Sequence, residues 1–374
     1  MENDTPILFP LSVIECKDCS LIQLFKIPSI PFLMPQFPWI KYNEPEDHLT
    51  KVAITLSNLL KKASSVLGIA PFDHPLLIKL KEQNHHCQSL DLRYSFQELS
   101  NGKFPYLETI QSELSMVQTS KNLQQNGKFH LIVCRYLLEH SHNPVEALQS
   151  LKHLIHLDGF LLIEVPDNTK FLQCKDYSFI WEEHITYFNE YTLENLLSVS
   201  GYEMVVVLKF TGKLEDALVA IVKPSSNPQL DFKKNTPISR FDEYRNSFED
   251  IKKNYITQLE KMKKNGDIIV IFGAGHQSIM FINALKLVPY ISFIIDDDIN
   301  KQGYFSPGSN IPIVDSSILL GKNSDINVCL LAVSPKLEEK IQAKLKPFTK
   351  RSGKLYTIFP GSNMPTIFED NICN

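Results

Sequence analysis

Three apolar runs, Ser65–Ala70, Phe129–Cys134 and Phe160–Val165, alternate with stretches of helical spacing, and that alternation constrains the fold more than any other feature of the chain. Runs this short and this free of polar alternation read as strands covered on both faces. Strands separated by helices lie parallel, because a parallel pair needs a crossover connection. After the first run come a turn at Pro71-Phe72-Asp73, a helix through Leu76, Leu77 and Leu80, and a short strand from Cys87 to Asp91. A helix from Asn143 to His156 leads into the last run. A second alternation opens after a helical segment from Phe241 to Lys264, with strands at Ile268–Phe272 and Tyr290–Asp296. The fold class is therefore α/β, with a small N-terminal segment (1–45), a first open-sheet domain (46–224), a Pro- and Ser-bearing linker (225–240) and a second, Rossmann-like domain (241–374).

The 374 residues are enough for two or three domains, each with its own core. A net charge of -4 gives no electrostatic reason for nucleic acid or an anionic membrane as partner. No apolar run reaches the roughly 18 residues of a membrane span. The start, Met1-Glu2-Asn3-Asp4-Thr5-Pro6, is acidic and proline-broken where a secretory signal is basic and then apolar, so the expected compartment is the cytoplasm. Seven scattered cysteines form no disulfide framework, which fits reduced thiols. Nothing in the sequence fixes the oligomeric state.

Open parallel sheets bind ligands at the carboxyl ends of their strands. Asp91 ends the second strand, where a carboxylate accepts both hydroxyls of a ribose; an Asp there also simply forms turns. Beyond the Glu164-Val165-Pro166 strand end lies Trp181-Glu182-Glu183-His184-Ile185-Thr186-Tyr187-Phe188. Its acid and imidazole side by side make a proton-transfer pair, or else an ordinary solvated loop. Cys16-Lys17-Asp18-Cys19 is half of a structural zinc site, or two unligated thiols. The aromatic stretch around Trp39 and Tyr42 can wall a pocket or staple the helix that starts near Glu46. Gly273-Ala274-Gly275-His276, with Asp296 about twenty residues on, has dinucleotide-site spacing. Ser278 replaces the third glycine, and such turns also serve packing alone.

Leu138-Glu139-His140-Ser141-His142-Asn143-Pro144 and Asp158-Gly159-Phe160-Leu161-Leu162-Ile163-Glu164-Val165-Pro166 resemble the segments around the fourth and fifth strands of class I S-adenosylmethionine-dependent methyltransferases. Three further segments, in order, resemble the sugar C-methyltransferase family. They are Leu11–Leu24 with Cys16 and Cys19, the stretch Trp181–Phe188, and Asp296–Ile313 with Lys301-Gln302-Gly303, Pro307-Gly308 and Ile311-Pro312-Ile313. The resemblance implies a class I methyltransferase Rossmann-like domain followed by the family's C-terminal Rossmann-like domain. It also implies S-adenosylmethionine as cofactor, a zinc-binding N-terminal module, and a nucleotide-linked keto-sugar as the small-molecule substrate.

Carried over residue by residue, the resemblance makes His184 the general base, Glu183 its partner and Tyr187 a donor to the developing enolate. Gly68, Asp73, Asp91, Glu139 and His140 become cofactor contacts, and Cys16 and Cys19 zinc ligands. The candidate substrate contacts are Trp39, Tyr42, Trp181, His276, Lys301 and Gln302, with Lys301 and Gln302 equally able to pin their own loop. The chain departs from the family in three places. Its first cysteine pair is missing, Trp181-Glu182 replaces Tyr-His, and Gly68-Ile69-Ala70-Pro71-Phe72-Asp73-His74-Pro75 replaces the glycine-rich first loop. The loop leaves open a non-catalytic relative that binds a nucleotide sugar or a partner. Oxygen or nitrogen methylation, and an NAD-dependent oxidoreductase built on the second domain, are further alternatives.

Overall fold

The structure, a computed structural model, describes residues 9–33, 39, 44–92, 114–225, 240–321 and 324–368. It divides into two compact units. One comprises Leu11–Asn168 with Glu182–Ser239, and the other contains Thr169–Trp181 and the chain from Arg240 onward. The excursion Thr169–Trp181 thus leaves the first unit and joins the second. The expected linker lies almost wholly outside the described residues.

The first unit opens with a hairpin of β1 (Val13–Glu15) and β2 (Ile22–Leu24). Helix Leu49–Leu59 follows, burying Leu49, Val52, Ala53 and Leu56 at the spacing of one helical face. Then come β3 (Ser65–Ile69), helix His74–Glu82, β4 (His86–Leu90), helix Met116–Asn126 and β5 (Phe129–Arg135). Helix Pro144–His153 begins where Asn143 accepts a hydrogen bond from the Glu146 amide and Pro144 needs no donor of its own. β6 (Ile155–Asp167) is longer than the apolar run anticipates, because the helix stops at His153 and the strand begins two residues later.

β7 (Thr186–Tyr187), helix Glu190–Val199 with an Asn189/Thr192 capping box, β8 (Tyr202–Phe210) and β9 (Asp216–Pro224) complete the unit. The main sheet runs β4-β3-β5-β6-β9-β8, with the first four parallel and β9 antiparallel to both its neighbours. Alternate residues of β5 serve opposite faces: Leu131 and Val133 join one core, Ile132 and Cys134 the other. This is the α/β fold of a class I methyltransferase domain. The β8–β9 pair is not anticipated by the sequence reading.

In the second unit, helix Phe241–Lys264 precedes β10 (Ile268–Phe272), helix His276–Ala284, β11 (Phe293–Ile295), β12 (Ile313–Val314), β13 (Ile326–Leu331), helix Pro335–Lys344 and β14 (Lys354–Thr357). All five strands are parallel, in the order β12-β11-β10-β13-β14. Cys174, in this unit, is disulfide-bonded, which corrects the expectation of fully reduced cysteines at that position. No described helix is long and apolar enough to cross a membrane.

Candidate active site

β5 ends at Arg135, and the chain turns at once into a short 3-10 helix, Leu138–His140. Glu139 and His140 are both buried there. The His140 Nδ1–H donates to the Glu183 carbonyl at 2.9 Å, and the Ile185 amide donates to the Glu139 carbonyl at 2.8 Å. These two bonds hold the Glu183-His184 loop against the end of β5. From the other side the Leu24 amide donates to Ile185 O at 2.9 Å, and β2 pairs antiparallel with β7, Ile22 opposite Tyr187. Asn168 Nδ2 donates to the Tyr187 carbonyl at 3.0 Å. The hairpin that carries the cysteines therefore anchors the strand that follows His184.

The His140 and His184 rings meet edge to face with centroids 4.8 Å apart, and the Tyr187 ring lies 6.1 Å from His184. Glu183 and Tyr187 are buried, while His184 is half-buried, so the imidazole is the group of this trio best able to touch a small molecule. Ligating atoms of Glu139, His140 and His184 all lie within 4.8 Å of one another. Glu139 Oε2 is buried with no hydrogen-bond partner. Burial, reinforced by the negative charges of Glu44, Glu215 and Glu164, pushes the Glu139 carboxyl well above the usual carboxylate range. Burial likewise pushes His140 down to about 3, so its imidazole is neutral at physiological pH. Glu139 and His140, expected as cofactor contacts, thus stand in the His184 cluster.

Beside this cluster lies a network that the sequence reading missed. Arg135, 1% exposed, pairs through Nε with Glu164 on β6, while His48 Nε2 bonds the other oxygen of Glu164 at 2.8 Å. Desolvation alone would raise the Glu164 carboxyl, but the bonds from His48 and Arg135 outweigh it and hold the acid below its ordinary range. The same guanidinium donates to Phe72 O at 2.7 Å and to Pro45 O at 2.9 Å. Arg135 therefore fixes the turn after β3, where glycines were expected. The signal available was an arginine at the end of an apolar strand, which needs a buried acid to be tolerated.

In that turn Asp73 is 1% exposed, and its Oδ2 accepts from Ser89 Oγ at 2.6 Å. A Cβ on Gly68 would lie 2.3 Å from the same oxygen, so Gly68 is the residue that admits the Asp73 carboxylate. This corrects the assignment of Gly68 and Asp73 as cofactor contacts, since they pack on each other. Asp91, half-buried directly after β4, stands at the carboxyl edge of the sheet, beside the point where the Ala70 amide donates to Leu90 O.

Cys16 and Cys19 sit in a tight turn, with Ser20 N bonded to Cys16 O at 2.9 Å. Burial pushes the Cys19 thiol up to about 11, and no third His, Cys, Asp or Glu among the described residues completes a metal cluster with them. The expected zinc module therefore gains no further ligand among the described residues.

In the second unit Trp181 stacks on His276, with centroids 4.1 Å apart and planes 11° from parallel. Lys301 Nζ donates to Ala274 O and pairs with Asp296 at 3.2 Å, while Gln302 donates to Asp296 O and to Asp315. Both side chains pin their own loop, the second of the two roles expected of them. Asp296 Oδ2 also accepts from the Ala274 amide at 2.8 Å, so the acid expected on a ribose closes the glycine turn instead. Trp39 is half-buried, and Tyr42 lies outside the described residues.

Residues 45–207 match the model of a methyltransferase domain, and residues 231–360 that of a C-methyltransferase C-terminal domain. The chain is a methyltransferase. It is 22% identical over 331 residues to C-methyltransferase NovU of Streptomyces niveus, a match spanning 82% of this methyltransferase and 76% of that protein. Solved structures similar to it include the 1,6-didemethyltoxoflavin-N1-methyltransferase of Burkholderia thailandensis. That match has a TM-score of 0.34 and 15% identity, and covers 48% of this chain and 80% of that one. Magnesium protoporphyrin IX methyltransferase (ChlM) of Synechocystis PCC 6803 matches with a TM-score of 0.34 and 14% identity, covering 48% and 83%. Likeness at that level says nothing about the substrate. The methyltransferase family implies S-adenosylmethionine as the donor.

Proposed function

We propose that this methyltransferase transfers the methyl group of S-adenosylmethionine to carbon, on a nucleotide-linked keto-sugar. The single observation that carries the mechanism is His184: a half-buried imidazole held from both sides beside buried Glu183 and Tyr187. A carbon next to a ketone becomes nucleophilic only when its proton is removed, and an imidazole is the side chain suited to that near neutral pH. In this reading His184 takes the proton, Glu183 would stabilise the imidazolium that forms, and Tyr187 would donate to the enolate oxygen.

The residues present fit the methyl donor in one respect: Asp91 directly follows β4 at the carboxyl edge of the sheet, where it would hold ribose hydroxyls. The turn Ala70–Phe72, fixed by Arg135, would lie beside the amino-acid end. When bound, S-adenosylmethionine supplies an electrophilic methyl carbon. The sugar reading is supported by the resemblance of Trp181–Phe188 and Asp296–Ile313 to the sugar C-methyltransferases and by the distant similarity to NovU.

The test offers the enzyme S-adenosylmethionine with a panel of nucleoside-diphosphate keto-sugars and looks for one added methyl group by mass spectrometry. Washout of the acceptor's α-proton into deuterium oxide is followed in parallel. Methyl transfer with washout is expected. His184→Ala should lower both by about 10²–10⁴ while leaving S-adenosylmethionine affinity within about twofold. Methylation on oxygen or nitrogen without washout, or unchanged turnover in the variant, overturns the reading.

A further inference from the structure

We infer that Glu139, His140 and His184 form a binding site for one divalent transition-metal ion of the zinc class, separate from the Cys16–Cys19 turn. Their ligating atoms lie within 4.8 Å of one another. Tetrahedral zinc ligands at about 2.0–2.2 Å from the metal stand roughly 3.4 Å apart, so a side-chain adjustment of about an ångström closes the set. Glu139 is 2% exposed and its Oε2 has no hydrogen-bond partner. A buried carboxyl oxygen left without a hydrogen-bond partner is costly, and a cation that displaces the carboxyl proton answers it.

The second imidazole is prepared for the same task. Because a carbonyl oxygen only accepts, the 2.9 Å bond from His140 to Glu183 O puts the proton on Nδ1 and the lone pair on Nε2. A backbone carbonyl on the far nitrogen is the outer contact that metal-bound histidines usually carry, and it fixes both tautomer and ring plane. Here the carbonyl belongs to the residue just before the third ligand. Ile185 N on Glu139 O closes the opposite side, so one pair of backbone bonds positions all three groups. His184, half-buried, leaves a path from solvent and a fourth position open to water or a ligand oxygen.

Two imidazoles and one carboxylate select zinc-like ions over magnesium or calcium, which take oxygen ligands. An ion on His184 engages the lone pair that takes the proton in the reaction proposed above, so bound zinc and that reaction exclude one another, and zinc should inhibit methyl transfer. The inference does not need that proposal to be true.

The experiment uses the whole chain after chelator treatment, with zinc chloride in calorimetry and cobalt(II) chloride in visible spectroscopy. One ion per chain and the intense visible bands of four-coordinate cobalt are expected. Glu139→Gln and His184→Asn should each weaken zinc binding by on the order of tenfold or more, with circular dichroism confirming that each variant is folded. Cys16→Ser/Cys19→Ser should bind as the parent does. No binding at micromolar zinc, or binding lost only with the cysteine pair, overturns the inference. Since the readout is binding, a chain that binds zinc through these residues but, once freed of metal, methylates no keto-sugar refutes the functional reading alone. An active enzyme that binds no zinc refutes this one alone.

Discussion

The two units solve the same local problem, the turn from first strand to first helix, with opposite materials. After β10 the turn is Gly273-Ala274-Gly275, and it is closed by Asp296, which accepts from the Ala274 amide while Lys301 ties both together. After β3 the turn has no glycine beyond Gly68, and a buried arginine from the neighbouring strand holds its Phe72 carbonyl. The glycine-rich turn is thus occupied by its own domain, whereas the turn without glycines borders the sheet edge where Asp91 stands. A glycine pattern marks where backbone can come close; only the surrounding side chains decide what it comes close to.

Breaking the arginine-held turn should have the largest effect. Arg135→Ala strands the buried Glu164 carboxylate and releases Phe72 O and Pro45 O. It should cost about 3–5 kcal/mol in urea unfolding, with a further loss of S-adenosylmethionine binding if the turn borders the donor. A variant within about 0.5 kcal/mol of the parent would show that the network does not hold the turn.

The glycine turn is probed by Gly273→Ala. Gly273 has φ +112°, and an added Cβ would meet the Ala332 carbonyl oxygen at 2.5 Å. The strain should cost about 1–3 kcal/mol, read as a lowered thermal midpoint. Gly68→Ala meets instead the Asp73 side chain, including its Cβ at 2.5 Å, which no rotamer change removes, so the turn itself must shift, a loss of about 1–3 kcal/mol. Adding Asp73→Gly, which removes that Cβ as well, should recover part of that loss, and strict additivity of the two would argue against the packing described.

The smallest effect concerns pH. Burial, with Glu215 and Glu164 adding negative charge, pushes Glu44 up to about 8, and burial beside Asp216 pushes Glu215 up to about 7. Carboxyls raised on folding stabilise the fold fully only below their unfolded pKa, near 4.5, and that contribution is lost as pH rises through about 7 to 8. The thermal midpoint should therefore fall between pH 5 and pH 9 by more in the parent than in Glu44→Gln/Glu215→Gln. An equal fall in both would remove these acids from the account.

The alternation of strands and helices was legible because apolar runs of strand length and helical spacing report local geometry directly. Asp91 was legible for the same reason, as the residue after a strand. Glu183-His184 could be picked out as chemistry, but not its company. Glu139 and His140 are brought to it by the β5 turn and by β2–β7 pairing, and neither contact has a local sequence signature. Arg135 was illegible as a site residue because its three partners, Pro45, Phe72 and Glu164, come from three separate segments. Lys301 and Gln302 were noticed for their motif, yet only the fold could decide that they face their own loop.

The antiparallel pairing of Ile22 with Tyr187 has a consequence for how the protein is made. The hairpin is synthesised well before the strand it must hold, which follows only after the parallel strands β3 to β6. A two-stranded hairpin of three-residue strands has little stability by itself, so it waits on translation. The loop bearing His184 comes into register only when the two distant pieces meet. An N-terminal nick would leave the six-stranded sheet whole and take the order out of that loop.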